Sequence, residues 1–222
     1  MGGLQLLGRG APAELKMNGT ADRRVHWDSV YAAKPADEVS WFQPTPEVSL
    51  RLIRRTGIGR DARIVDVGGG ASTLADHLLA EGFSLAVLDL SEAALNQARK
   101  RLGDSAERIE WIVADVTAWR PHHAFDLWHD RAVLHFLTEP DDQEGYANTL
   151  RRAIPAEGWA IIGGFAPGGP AQCSGLPVVQ HDARSLGRLL GPELQLLETH
   201  GETHVTPSGA EQAFRYHVFR RR

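Results

Sequence analysis

Between residues 62 and 165, short apolar runs alternate with helix-length segments, and this alternation most constrains what the chain can fold into. Residues 62–67 read as a strand followed by a glycine cluster. Residues 73–80 read as a helix with Leu74, Leu78 and Leu79 on one side, stopping near Gly82. Residues 84–89 repeat the strand, and Ser91 is placed to cap a helix reaching Leu102. Residues 109–114, 125–129 and 159–165 give three more strands, with a helix over 142–153 between the last two. Apolar strands separated by helices of about ten residues are the signature of βαβ units, whose strands are buried on both faces. The expected fold is therefore α/β, a single Rossmann-like domain with a doubly wound, mainly parallel sheet. Beyond Leu190 the pattern changes. Residues 194–199 and 213–220 are strand-like with no useful helix between them, which predicts an antiparallel C-terminal hairpin on the sheet edge.

The rest of the chain bounds the function. Its 222 residues suit one domain. A formal charge of −4 supplies no general field for phosphate backbones, so nucleic acid is not an expected partner. The single cysteine, Cys173, excludes an internal disulfide framework and a zinc site built on several thiolates, and fits a reducing cytoplasm. No apolar run approaches the roughly 20 residues of a membrane helix. Residues 1–22 are expected to be a flexible leader, and 23–222 the folded domain. Residues 23–33 suggest a helix on which Trp27 and Tyr31, four apart, share a face. With the Trp41-Phe42 loop that follows, the 23–43 segment is either a staple to the core or a lid. Thr45-Pro46-Glu47 reads as the start of another helix, with Thr45 as its cap, running to Gly57.

The sharpest motif is Val65-Asp66-Val67-Gly68-Gly69-Gly70-Ala71-Ser72, set between a strand and a helix. Glycines there let a ligand approach the backbone closely, and the following helix presents free N–H groups. Asp89 ends the next strand about 20 residues on, where a carboxylate can accept both hydroxyls of a ribose. Asp115 follows the third strand. A nicotinamide reader would carry Gly-x-Gly-x-x-Gly, but Thr73 stands at the third position. Asp66, two residues before the first glycine, suits a ligand with positive charge. On these residues the chain resembles the class I S-adenosylmethionine (SAM)-dependent methyltransferases. The resemblance implies that Asp66, Gly68, Gly69 and Gly70 hold the methionine part of SAM. It implies further that Asp89 and Leu90 take the ribose and that Asp115 and Val116 flank adenine. S-adenosylhomocysteine would be the product.

The fourth strand ends in Trp128-His129-Asp130-Arg131-Ala132, dense in polar groups. Asp130 and Arg131 could form an ion pair that locks the loop, and His129 could be a satisfied loop histidine. This stretch, with Tyr146 in the next helix, also resembles the thiopurine and chalcogen methyltransferases locally, over some 25 residues. That likeness implies that Arg131 positions the acceptor and that sulfur or selenium is methylated. Arg131 and His129 are thus the candidate catalytic residues, with His129 also near the cofactor and serving as base should the acceptor be an alcohol or ammonium. The expected partner is a small-molecule acceptor, a thiol or other sulfur or selenium nucleophile first. Oxygen or nitrogen of a metabolite comes next, then a protein lysine, and last a SAM-binding protein without turnover. No metal is expected. Cys173 reads as a buried, inert thiol.

Overall fold

The computed structural model describes residues 19–222. Most of the expected leader, residues 1–18, lies outside the described residues. Its end is corrected: helix α1 runs over Thr20–Ala33, starting three residues before the expected 23. Helix α2 covers Glu47–Arg55, but Thr45 does not cap it; Pro46 occupies that position and no side chain bonds the free N–H groups.

The alternating part then follows. Strand β1 (Arg63–Val67) leads to helix α3 (Leu74–Ala80), β2 (Ser84–Asp89) to α4 (Glu92–Leu102), and β3 (Ile109–Val113) to β4 (Leu127–Arg131). Helix α5 (Pro140–Ala153) precedes β5 (Trp159–Phe165). As expected, the Ser91 hydroxyl accepts from Ala94 N and caps α4. Strand β4 begins and ends two residues later than the 125–129 expectation, which brings Asp130 and Arg131 into the sheet.

The closing part contains a short hairpin, β6 (Gln172–Cys173) and β7 (Leu176–Pro177), helix α6 (Ala183–Leu190), and the long strands β8 (Leu194–Val205) and β9 (Glu211–Arg221). Among the described residues seven strands form the main sheet in the order β3-β2-β1-β4-β5-β9-β8. Neighbours from β3 through β5 are parallel. β9 pairs antiparallel with β5 and with β8, the expected terminal hairpin.

The core lies on both sheet faces because the strands are apolar on both. On one side α2 and α3 bury Leu52, Ile53, Leu74 and Leu78 against Ile64, Leu127 and Ile161. On the other, α5 and α6 bury Leu150, Tyr146 and Leu190 against Val65, Trp128 and Phe219. Trp128 is completely buried, edge-on to Tyr146 with ring centroids 5.4 Å apart. Its truncation to alanine is expected to cost about 3–5 kcal/mol. The strand order reverses at β1/β4, so the carboxyl ends of these strands open a crevice at a topological switch point. No helix of the described residues is long and apolar enough to cross a membrane.

Candidate active site

Two adjoining pockets occupy that crevice and share Tyr31, Trp41, Gly68 and Arg131. The larger, about 890 Å³ with its open mouth, runs over the ends of β2, β3 and β4 and is walled by Trp27, Phe136, Phe165 and Phe214. The smaller lies at the end of β1, over Asp66, Gly68, Gly69 and Thr73. A crevice of this size, mostly apolar with a few convergent polar groups, is the usual form of a small-molecule site.

The glycine turn is shaped for close approach. Gly68 has φ +65°, and a Cβ there would lie 1.9 Å from Val133 Cγ2. A Cβ on Gly69 would meet Asp66 Oδ2 at 2.6 Å, and one on Gly70 would meet Asp89 Oδ2 at 2.8 Å. These glycines leave room for both carboxylates. Asp66 is buried; its Oδ1 accepts from His129 Nδ1 at 2.7 Å, and its Oδ2 has no hydrogen-bond partner. That free buried oxygen and the bare turn fit a cationic ligand end such as an amino-acid ammonium.

Asp89 is buried at the end of β2, and its Oδ1 accepts from Ser91 N at 2.8 Å. Burial pushes its carboxyl up to about 7 despite that bond, with Asp66 adding to the rise. Asp89, Leu90, Asp115 and Val116 all line the larger pocket. Gly70 is absent from both walls; it gives Asp89 space from behind.

Asp115 is already engaged within the chain. Its Oδ2 accepts from Thr20 Oγ1 at 2.6 Å and Arg23 Nη2 at 2.7 Å, and its Oδ1 accepts from Thr117 N and Oγ1. Burial alone would push its pKa up, but these bonds outweigh it and hold the carboxyl below its ordinary range. Arg23 also reaches Asp142 at 2.6 Å. Asp28 accepts from the Ser91 hydroxyl at 2.6 Å, and Tyr31 O accepts from Gln97 at 2.7 Å. Helix α1 is thereby pinned across the crevice. Trp27 packs edge-on against Phe136 and Trp41, at 4.9 and 5.9 Å between centroids.

Arg131 sits where the two pockets meet. Its Nε donates to Tyr216 Oη at 3.0 Å and its Nη1 to Trp41 O at 3.0 Å, while the guanidinium lies over the Phe214 ring at 4.4 Å. Glu202 Oε2 accepts from Tyr216 at 2.9 Å and lies 3.9 Å from Arg131 Nη2, which has no hydrogen-bond partner. The expected Asp130–Arg131 ion pair does not form. Asp130 accepts instead from Val133 N, Leu134 N and the Tyr146 hydroxyl. These bonds hold a turn in which Ala132 has φ +74°.

His129 is not exposed to an acceptor. Its Nδ1 is bonded to Asp66, its Nε2 lies 2.9 Å from Ser49 Oγ, and the ring is 2% exposed. Neither nitrogen is free to take an acceptor's proton, which corrects its reading as a base. The ring on the larger pocket without a hydrogen-bond partner is His135, in the Leu134–Phe136 turn, which sequence reasoning did not assign to the site. Cys173 lines the larger pocket, and burial pushes its thiol up to about 11, in keeping with an inert thiol. His204 donates to Ser40 O at 2.7 Å and Gln43 to Glu202 at 2.8 Å, so β8 anchors the loop after α1. No group of three His, Cys, Asp or Glu side chains among the described residues could hold a metal ion.

With this geometry in place, comparison with known proteins is informative. Residues 64–158 match the family model described as a methyltransferase domain. The ubiquinone biosynthesis O-methyltransferase of Aromatoleum aromaticum is 28% identical over 131 residues, 58% of this chain and 53% of that protein. Thiocyanate methyltransferase 1 of Arabidopsis thaliana is 34% identical over 76 residues, 33% of each chain. The match thus spans about half, or less, of the length of these curated relatives. A solved SAM-dependent methyltransferase from Anabaena variabilis superposes with a TM-score of 0.73 at 16% identity, covering 96% of this chain and 99% of that one. That likeness extends the shared fold over nearly the whole chain.

Proposed function

We propose that this chain, whose residues 64–158 match a methyltransferase-domain model, is a class I SAM-dependent methyltransferase that methylates a small acceptor, with a thiol or other sulfur or selenium nucleophile preferred. The observation that carries this reading is Arg131 with its unpartnered Nη2, fixed at the junction of a glycine-lined pocket and an aromatic one. The Asp66 and Asp89 carboxylates and the glycine turn would hold the donor's ammonium and ribose on one side of that junction. SAM supplies a methyl on a sulfonium, open to in-line attack. Arg131 would then face the acceptor on the other side, stabilising the negative charge that builds on a thiol or selenol as its proton leaves. Trp27, Trp41, Phe136, Phe165 and Phe214 would exclude water and fix the angle of approach. The name of the thiocyanate methyltransferase relative adds support for a sulfur acceptor.

Methylation of oxygen or nitrogen on a small metabolite is the second reading. It is favoured by the ubiquinone O-methyltransferase relative and by the neutral ring of His135 on the pocket wall. A panel of one thiol, one selenol, one phenol and one amine, each incubated with SAM and protein, separates these readings. Mass spectrometry of S-adenosylhomocysteine and of the methylated product is expected to show the thiol and selenol turned over fastest. Turnover of the phenol or amine alone would remove the sulfur preference. Tight SAM binding without any product would leave a binding protein.

A further inference from the structure

The wall of the larger pocket holds a side chain that positioning of donor and acceptor leaves unused. His135 is 2% exposed, and neither of its ring nitrogens has a hydrogen-bond partner. Buried polar atoms are almost always satisfied, so a bare ring here calls for a reason. The residue lines the larger pocket and also a second, smaller cavity on its other side. That cavity, which on its size takes about one water molecule, is lined as well by His181 and His217. Each of these two rings again has an unpartnered buried Nε2. His217 is buried on β9, whereas His181 is half-buried just before α6, with Ser185 Oγ 3.4 Å from its Nδ1. His135, bare at both ring nitrogens, therefore shares this cavity with two rings that each keep a bare Nε2.

We propose that His135 accepts the proton that the acceptor loses on methylation and passes it, through a water held in the small cavity, to His181 at the surface, with His217 orienting that water. The proposal rests on the transfer reading above. As the acceptor atom bonds the methyl carbon, the carbon–sulfur bond of the donor breaks and its electron pair stays on sulfur. The acceptor keeps the electron pair of its bond to hydrogen, and the proton passes to the bare nitrogen of His135. The other ring nitrogen then releases its own proton to the water, and His181 hands one on to solvent.

The electrostatic setting suits this task. Burial holds His135 down near 3, with Arg131 and His181 adding to the fall, so the ring is neutral and always presents one bare nitrogen. Burial lowers His217 to about 4, aided by Arg215 and opposed by Asp182. His181 is lowered by burial, and Asp182 opposes this. A weak base suffices here. A sulfur or oxygen that has gained a methyl while keeping its proton is a far stronger acid than an imidazolium. Such a route matters because aromatic side chains wall the pocket and the ring nitrogens of His129 are both engaged.

Two measurements on the full chain test the relay, one of them independent of turnover. In nitrogen-15 spectra of the histidine rings, exchange of the His135 ring N–H with water is expected to slow at least about tenfold in His181→Phe. His181→Gln serves as the second variant should the first fail to fold, and SAM affinity reports that the crevice is intact. Unaltered exchange overturns the relay. The second measurement compares phenylmethanethiol, which must lose a proton, with thiocyanate, which has none. The ratio of their methylation rates is expected to fall at least about tenfold in His181→Phe, and added imidazole is expected to restore it. Equal slowing of both acceptors, without rescue, means a structural role and overturns the proposal. If the parent methylates neither compound, the transfer reading fails for sulfur acceptors while the exchange measurement still decides the relay.

Discussion

Arg23 Nη2 lies 2.7 Å from Asp115 Oδ2, joining the first turns of helix α1 to the loop that leaves β3. Both side chains are mostly buried, at 10% and 7% exposure, and the same guanidinium reaches Asp142 on α5. The pair thus fastens the covering helix to the end of the crevice over β2 and β3. Breaking one partner of a buried pair leaves the other charge uncompensated. Arg23→Ala is expected to raise amide hydrogen exchange over 20–33 at least about tenfold, equivalent to about 1.4 kcal/mol, and to lower turnover. Protection of the strands should persist. Unchanged exchange in α1 with full activity would discard the lid and leave a staple that Arg23 does not control.

The Asp89 carboxyl predicts a pH dependence. Burial raises it to about 7, so below that pH it is protonated and can no longer accept two ribose hydroxyls. SAM binding is expected to tighten as pH rises toward 7, by at most about tenfold per unit, and to level off above. The stability term has the opposite slope. A carboxyl whose folded value exceeds its unfolded value favours folding at low pH and loses that contribution as pH rises from about 4 to about 7. Calorimetric titration of parent and Asp89→Asn checks both, the variant being expected to bind weakly at every pH.

Gly68 gives a test of the cradle. Alanine there would need the left-handed backbone at φ +65° and would drive its Cβ to within 1.9 Å of Val133 Cγ2. A loss of about 1–3 kcal/mol in stability is expected, with SAM affinity reduced at least tenfold. Pairing it with Val133→Ala should return part of the stability. Denaturant melts and SAM titrations of the two variants and their combination make the comparison.

Arg131 offers a test of the proposed acceptor class. For a thiol, Arg131→Ala is expected to lower kcat/KM by at least about tenfold, roughly 1.4 kcal/mol. Lysine keeps the charge but loses the planar fork whose separate nitrogens reach Tyr216 and the Trp41 carbonyl, so it too should fall short of the parent. Steady-state kinetics with a thiol and a phenol check this. A normal Arg131→Lys with both acceptors would remove the guanidinium's role.

The parts of the site legible in the sequence are those coded by neighbouring residues. Apolar runs located the parallel strands, and the acids at their ends followed from chain order alone, as did the glycine turn between β1 and α3. Contacts across long separations left no such trace. Nothing near Arg131 announces Glu202 or Tyr216, and Asp66 gives no hint that Ser49 completes its pair with His129. Adjacency offered Asp130 as one candidate partner of Arg131, whereas the burial of Tyr146 beside Asp130 was not visible. Helix α6 carried a readable signal that was passed over. Asp182 accepts from Ser185 N and the Ser185 hydroxyl bonds back to Asp182 N, a cap box ahead of Leu186, Leu189 and Leu190.

The pinning of the 40–43 loop by Arg131, His204 and Glu202 has an evolutionary consequence. Apart from His129, every residue assigned to the donor, from Asp66 through Val116, comes from one continuous stretch of about fifty residues. The opposite wall is assembled from pieces scattered over the chain, and its anchors Glu202, His204, Phe214 and Tyr216 all belong to the terminal hairpin. A lineage could therefore trade hairpins and acquire a new acceptor repertoire with its methyl-donor half inherited intact.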